Sequence, residues 1–524
     1  MKYESVNQAL DALTKYQQTM AAYHHAIGVM HLDASTAAPK GTWEGRGRTM
    51  ATLSEITYNL ETNPDVGDML SYLEAHAQEL NPQQKRQVEV LRKSYDQTKK
   101  IPAEEVIAYS VLMNDSQAAW EKAKNENDFD SFAPYLEKII SFNRKFAGYN
   151  NPKMAPYDAL LNEYEEGMNT VTLDAFFGKL RETLVPLIAK IQSVPQIDDS
   201  FLHRHYPVEQ QRKFSDYLME VLGLDRNYCG IAETEHPFTT NFNNKDVRIT
   251  THYYENDLVS SMYSVIHEGG HALYELGADD QYNFTALQGG VSMGIHESQS
   301  RFYENLIGRS RAFIHAIFPK VKELFPQQLA DVDEEMFYKA VNKAEPSLIR
   351  TAADELTYAN HIMIRYELEK QLIGGTLEIK DVPAAWNKLY KEYLGVDVPN
   401  DSMGCLQDTH WAGGMIGYVP SYALGSAYGA QMIAKMQEEI GDVYEDVAKG
   451  DLSKVTAWLK EKIHRHASFK KPGALFEEVC GKFDASYYTD YLTKKFTELY
   501  ELSYESVDAR KGIVPPAGAG SGCP

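Results

Sequence analysis

The sequence predicts a mainly α-helical fold with a small β hairpin or sheet, and three observations carry that prediction. Most of the chain repeats apolar residues at helical spacing within stretches rich in Ala, Leu, Glu, Lys and Gln. Short breaks at Asn63-Pro64, Asn81-Pro82 and Ile101-Pro102 separate these stretches. Only 226–256 changes character, to a segment rich in Thr, Asn and Phe. The length alone would allow roughly two to four domains. Because no Gly-, Ser- or Pro-rich linker appears before the last residues, one body over 1–505 is expected, with a disordered tail at 506–524.

Taken in order, residues 1–150 read as helices over 6–30, 45–60, 67–80, 82–100 and 102–125, with Pro82 and Pro102 suited to a first helical turn. No constellation there carries chemistry, so a covering role is expected. Helices continue over 156–165, 172–194 and 207–222. His203 and His205 sit in a short polar loop between them and read as surface residues. In 226–256 a turn at 243–245 leads to Val247 and Ile249 alternating with Asp246, Arg248 and Thr250. A strand there could border a cleft and offer backbone hydrogen bonds to an extended peptide. Arg248 is either a surface charge or a clamp for a carboxylate.

The stretch 258–277, LVSSMYSVIHEGGHALYELG, organises the rest. Val259, Met262, Tyr263, Ile266, Leu273 and Leu276 recur at helical spacing, which marks a buried helix. His267 and His271, four apart, then share one face and can grip one metal ion, usually zinc. Glu268, beside the first histidine, is placed to take a proton from water without being a ligand. A plain core helix would show the same apolar stripe. It would not carry Gly269 and Gly270, each costing about 1 kcal/mol relative to alanine, unless something approaches closely.

A loop, 278–290, precedes a second helix beginning near Ser292. A third ligand is needed, and His296 and Glu297 are the nearest candidates. Being adjacent, they point about 100° apart, and spacing does not choose between them. Residues 311–400 are again helical. A helix from 347 to 373 would align Arg350, Asp354 and Tyr358 on one stripe, either as a structural Arg–Asp pair or as a guanidinium held for a carboxylate. Residues 401–430 crowd Gly, Trp, Tyr and His with few charges, as a cleft wall does. His410, Tyr418 and Tyr422 could donate hydrogen bonds to a developing oxyanion. Residues 431–505 read as ordinary amphipathic helix.

The net charge of −22 argues against nucleic acid and anionic membrane surfaces as partners, since both select clustered Lys and Arg. No apolar run is long enough to span a membrane, and the first twenty residues lack an apolar signal core. The scattered Cys229, Cys405, Cys480 and Cys523 suit neither a disulfide scaffold nor a thiolate metal site, so a reducing cytoplasm is expected.

Together the motifs resemble the carboxypeptidase Taq family of thermostable metallocarboxypeptidases. They occur in the family's order: His236-Pro237-Phe238, Asp246-Val247-Arg248-Ile249-Thr250, His267–His271, His296-Glu297-Ser298-Gln299, Ile349-Arg350 through Asp354, and Gly404 through Gln407-Asp408-Thr409-His410-Trp411. The resemblance implies an elongated, mainly helical, zincin-like body with a deep groove walled by the amino-terminal helices, usually a homodimer. It implies Glu297 as third metal ligand and Arg248 and Arg350 near the substrate's free C-terminus. By analogy with similar helical, clefted peptidases, His410 and Tyr418 are expected to steady the tetrahedral intermediate. His236 and Tyr422 are expected to bind substrate beside them. The sequence departs from the family near His31-Leu32-Asp33 and Ala37-Ala38-Pro39, where Trp-Asp and Met-Pro are common.

The expected activity is removal of single C-terminal residues from peptides with a free carboxylate, at broad preference, using zinc or, in its place, cobalt. An endo-acting metallo-oligopeptidase and a silent helical peptide-binding protein are the alternatives.

Overall fold

Helix signals in the sequence account for most of the architecture in the computed structural model, which describes residues 3–502. The expected tail at 506–524, with Cys523, lies outside the described residues. Ser5 caps the first helix, Val6–Thr36, by accepting from the Gln8 N–H, and this helix runs six residues past the expected end. Asn63 and Asn81 cap the helices Pro64–Ala75 and Pro82–Lys100, each with proline in the first turn. Asn81 and Gln84 form a reciprocal capping box.

Among the described residues three apolar clusters form, the smallest of them Tyr282, Leu287 and Ala467. One large core links buried residues from Leu112 to Leu502. A separate small one, with Ala9, Leu13, Met69, Leu70 and Leu73 among its members, holds the first helices together.

The 226–256 region is a three-stranded sheet, one strand more than a hairpin. β2 (Thr239–Asn243) and β3 (Asp246–Thr251) pair antiparallel through the expected turn, and β1 (Cys229–Glu233) lies parallel to β3 on its other side. β1 escapes a sequence reading because its partner is not its chain neighbour, so no turn announces it.

The central helix, Leu258–Leu276, lies against β3, the helix Val208–Val221 and the helix Met293–Arg301. Its glycines mark the close approaches. A Cβ on Gly270 would sit 2.6 Å from the Gln299 carbonyl oxygen, and one on Gly269 would sit 2.7 Å from Leu222. A third helix, Pro420–Ile440, closes on the same spot, where a Cβ on Gly425 would lie 2.7 Å from the Glu297 Cβ. Three helices thus meet backbone to backbone around Glu297.

Two expectations need correction. The helix expected from 347 begins only at Tyr358 (Tyr358–Gly374), and Arg350–Ala352 is a single 3₁₀ turn. The Asp354 side chain accepts from the backbone N–H groups of Glu345, Leu356 and Thr357, which competes with helix at that point. Arg350, Asp354 and Tyr358 therefore share no helical stripe. The amphipathic helix expected over 431–505 is, within the described residues to 502, divided. Glycines at Gly441 and Gly481, both with positive φ, end helices there and divide the region into short pieces.

Candidate metal centre and active site

His267 and His271 project from the central helix, and Glu297 projects from the facing helix Met293–Arg301. Glu297 Oε2 lies 3.7 Å from His267 Nε2 and 3.4 Å from His271 Nε2. One ligand atom from each of the three residues lies within 4.8 Å of the others.

Each histidine is oriented from behind. His267 Nδ1 is 2.7 Å from Glu304 Oε2, and an ionised carboxylate can only accept, so the ring carries its proton on Nδ1. His271 Nδ1 is 2.6 Å from His296 Nδ1, while His296 Nε2 is 2.7 Å from Glu275 Oε1. His296 must donate to Glu275, so its Nδ1 accepts from His271. Both ligand candidates thereby present the Nε2 lone pair forward, as metal coordination requires. Glu275 is itself fixed by Asn241 of β2 and the Gly290 N–H.

Arg301 supplies the positive charge behind the carboxylates. Its Nε donates to Glu297 Oε1 at 2.7 Å and its Nη1 to Glu304 Oε2 at 3.0 Å. Burial raises the Glu297 carboxyl, but Arg301 and the two histidines outweigh it and hold the group well below the usual carboxylate range. The same contest, with Arg301 and His267 opposing burial, leaves Glu304 at about 2. A π-helical turn, Phe302–Ile307, directly follows the Glu297 helix and carries Glu304 to His267.

Glu268 is buried, with Thr239 of β2 donating to its Oε2 at 2.6 Å. β2 therefore touches the centre at one end. At the other, Thr240, Asn241 and Phe242 line a cavity of about 420 Å³ whose opposite wall is the first helix, through Gln17, His24 and Gly28 among others.

A second cluster lies next to the first. Arg350 is buried, with Nε and Nη2 on the Asp408 carboxylate and Nη1 donating to the Tyr358 hydroxyl at 3.2 Å. The Tyr358 ring also faces Arg301, 4.3 Å from its guanidinium carbon, and so joins the two clusters. Arg365 holds Asp408 from the other side. Arg350 lies 5.2 Å from the Tyr422 ring, His410 Nε2 is 3.4 Å from the Tyr422 hydroxyl, and His410 stacks on Tyr418. Burial, helped by Arg350 and Arg365, brings His410 down to about 4 against the pull of Asp408. At neutral pH it is an uncharged imidazole.

The structure thus gathers His267, Glu268, His271 and Glu297, and beside them Arg350, His410, Tyr418 and Tyr422. Arg248 and His236 have their own surroundings. Arg248 is bidentate on Asp246 and covers Phe242, with two-fifths of its side chain exposed. His236 is exposed in the connection between β1 and β2. Arg301, Glu304, Glu275, Thr239 and Asp408 were not foreseen as site residues. For Arg301 a signal exists, since it lies four residues after Glu297 and such pairs meet on a helix.

A family model described as carboxypeptidase Taq (M32) metallopeptidase matches residues 12–496. Carboxypeptidase 1 of Bacillus subtilis is 40% identical over 482 residues, covering 92% of this chain and 96% of that protein. Thermostable carboxypeptidase 1 of Thermus thermophilus is 38% identical, covering 92% and 97%. The crystal structure of an M32 carboxypeptidase from Deinococcus radiodurans matches with a TM-score of 0.92 at 38% identity, covering 94% of this chain and all of that one.

Proposed function

Because the chain belongs to the carboxypeptidase Taq (M32) family of metallopeptidases, we propose that it uses zinc to remove single residues from peptide C-termini, at broad side-chain preference. The observation that carries this reading is the convergence of two imidazole nitrogens and a carboxylate beside the buried Glu268.

The donor set fits zinc with one position left open, and cobalt suits the same ligands. His267, His271 and Glu297 would hold the ion. When bound, it supplies Lewis acidity that makes water a competent nucleophile near neutral pH. Glu268 takes the water proton as the oxygen bonds to the last peptide carbonyl carbon. Thr239 already occupies Oε2, which leaves Oε1 for that proton. The same carboxyl then protonates the departing nitrogen as the C–N bond breaks. Tyr418 and Tyr422 through their hydroxyls, and neutral His410 through a ring N–H, donate to the developing oxyanion. Removing one such donor commonly costs about 3–4 kcal/mol.

Arg350 is the first choice for the terminal carboxylate. Asp408 and Tyr358 use three of its five N–H groups, so one on each terminal nitrogen is left to form a two-pronged contact. Asp408 fixes the fork in place. Arg248, over Phe242 at the cavity, is the second choice, and His236 a further substrate contact.

The reading takes 1–505 as one catalytic domain of a homodimer acting in the cytoplasm. Among the described residues no helix is long and apolar enough to cross a membrane. Light scattering tests the dimer, and cell fractionation the compartment. The chemistry is tested by Glu268→Gln. The variant should bind metal in full and lose turnover by at least about a hundredfold. A metal-loaded variant with wild-type turnover would remove Glu268 from its role.

A further inference from the structure

Residues 401–419 carry His410 and Tyr418 yet contain neither helix nor strand. Something other than a backbone ladder must fix them. The helix Tyr358–Gly374 sends one fully buried carboxylate, Glu369, into this stretch. Its Oε1 accepts from the Trp411 indole N–H at 2.9 Å. Its Oε2 accepts from the Gly417 backbone N–H at 2.8 Å and the Tyr157 hydroxyl at 3.0 Å. Trp411 follows His410, and Gly417 precedes Tyr418. A single side chain therefore ties both ends of the segment that separates the two residues.

The surroundings make this tie stiff. Gly417 has φ +89°, and a Cβ there would lie 3.0 Å from the Leu160 carbonyl carbon, so the backbone is pressed against the helix Pro156–Tyr164. That helix supplies Tyr157 to the carboxylate and sets Tyr164 edge-on to Tyr418 at 5.2 Å. Within the segment, the Met415 N–H donates to the His410 carbonyl and closes the turn. Three donors meet this carboxyl group and partly offset the burial that pushes it up to about 7, and every one of them belongs to the segment or its support.

We propose that Glu369 is the positioning residue that sets His410 and Tyr418 at the distance and angle oxyanion stabilisation needs. It touches no substrate and acts only through that pair. The inference rests on the oxyanion role given above to His410 and Tyr418.

The test is Glu369→Gln in the metal-loaded, full-length enzyme. Glutamine keeps the shape but turns an amide N–H₂ toward groups that are themselves donors. Metal content should be unchanged, melting should stay cooperative even if it shifts down, and KM for a free-acid peptide should be nearly unchanged, while kcat falls roughly 10- to 100-fold. In a background carrying His410→Ala and Tyr418→Phe the same substitution should cost nothing further, which a general structural role would not reproduce. A kcat within about twofold of wild type, or a loss that persists in that background, overturns the proposal. Should Glu369→Gln fail to fold, Trp411→Phe removes one donor alone and must show a smaller kcat loss with the same dependence on background. If His410→Ala and Tyr418→Phe lower kcat but neither tie variant does, only the positioning role fails. If they leave kcat unchanged, the oxyanion reading and this proposal fall together.

Discussion

The neighbourhood of Glu297 and the helices of the first hundred residues use the same arginine–glutamate pairs to opposite effect. Arg301 bonds Glu297 and Glu304 with side chains only 7–16% exposed, inside a junction of three helices. Arg48 bonds Glu44 at 2.6 Å, a shorter contact, with side chains 80% and 65% exposed. Distance therefore ranks the two pairs wrongly. In the buried site, charges without partners would be severely destabilising, so each group is bound by several others. On the exposed helix, water and salt screen the attraction, and holding two long side chains offsets most of what is left. The lesson extends to function. The residues to which chemistry is assigned hang from the large core, whereas the first helix, held by its own small cluster, contributes the far wall of a cavity.

The largest effect is expected at Arg301. Arg301→Met leaves Glu297 and Glu304 buried without their main cation and should cost roughly 3–5 kcal/mol in denaturant unfolding of the metal-free protein. A cost below about 1 kcal/mol would mean that this network resembles a surface pair. A smaller effect is expected one layer out, at His296. His296→Gln should keep the fold and weaken metal binding about 10- to 100-fold in chelator competition, because His271 loses the group that fixes its tautomer. Unchanged affinity would show that the His271–His296–Glu275 chain does not tune the ligand. Arg48→Met is the least of the three. Neither the melting temperature nor metal affinity should move, and a clear drop in either would contradict the burial argument.

The shared face of His267 and His271 was legible in the sequence because helical periodicity places them together whatever surrounds them. The glycines were legible too, although not what approaches them: the Gln299–Ser300 backbone for Gly270 and Leu222 for Gly269. Spacing left His296 and Glu297 undecided for a physical reason. Both point into the site, one toward the two imidazoles and the other onto the back of His271. Arg301, Glu304 and Glu369 were missed because a charge within a helical pattern reads as solvated surface until tertiary packing covers it. Glu304 also depends on a π turn, which leaves no mark in apolar periodicity. The helix expected from 347 failed at Asp354, whose side chain takes amides that a helix would use.

The most direct test of the account is one assay of the purified protein on a peptide with a free C-terminal carboxylate and on its amide, with and without chelator. Stepwise loss of C-terminal residues is expected from the free acid alone, abolished by chelator and restored by zinc or cobalt. Equal cleavage of both peptides would contradict the carboxylate clamp and indicate an endo-acting oligopeptidase. No cleavage by metal-loaded protein would contradict the chemistry assigned to Glu268 and its neighbours.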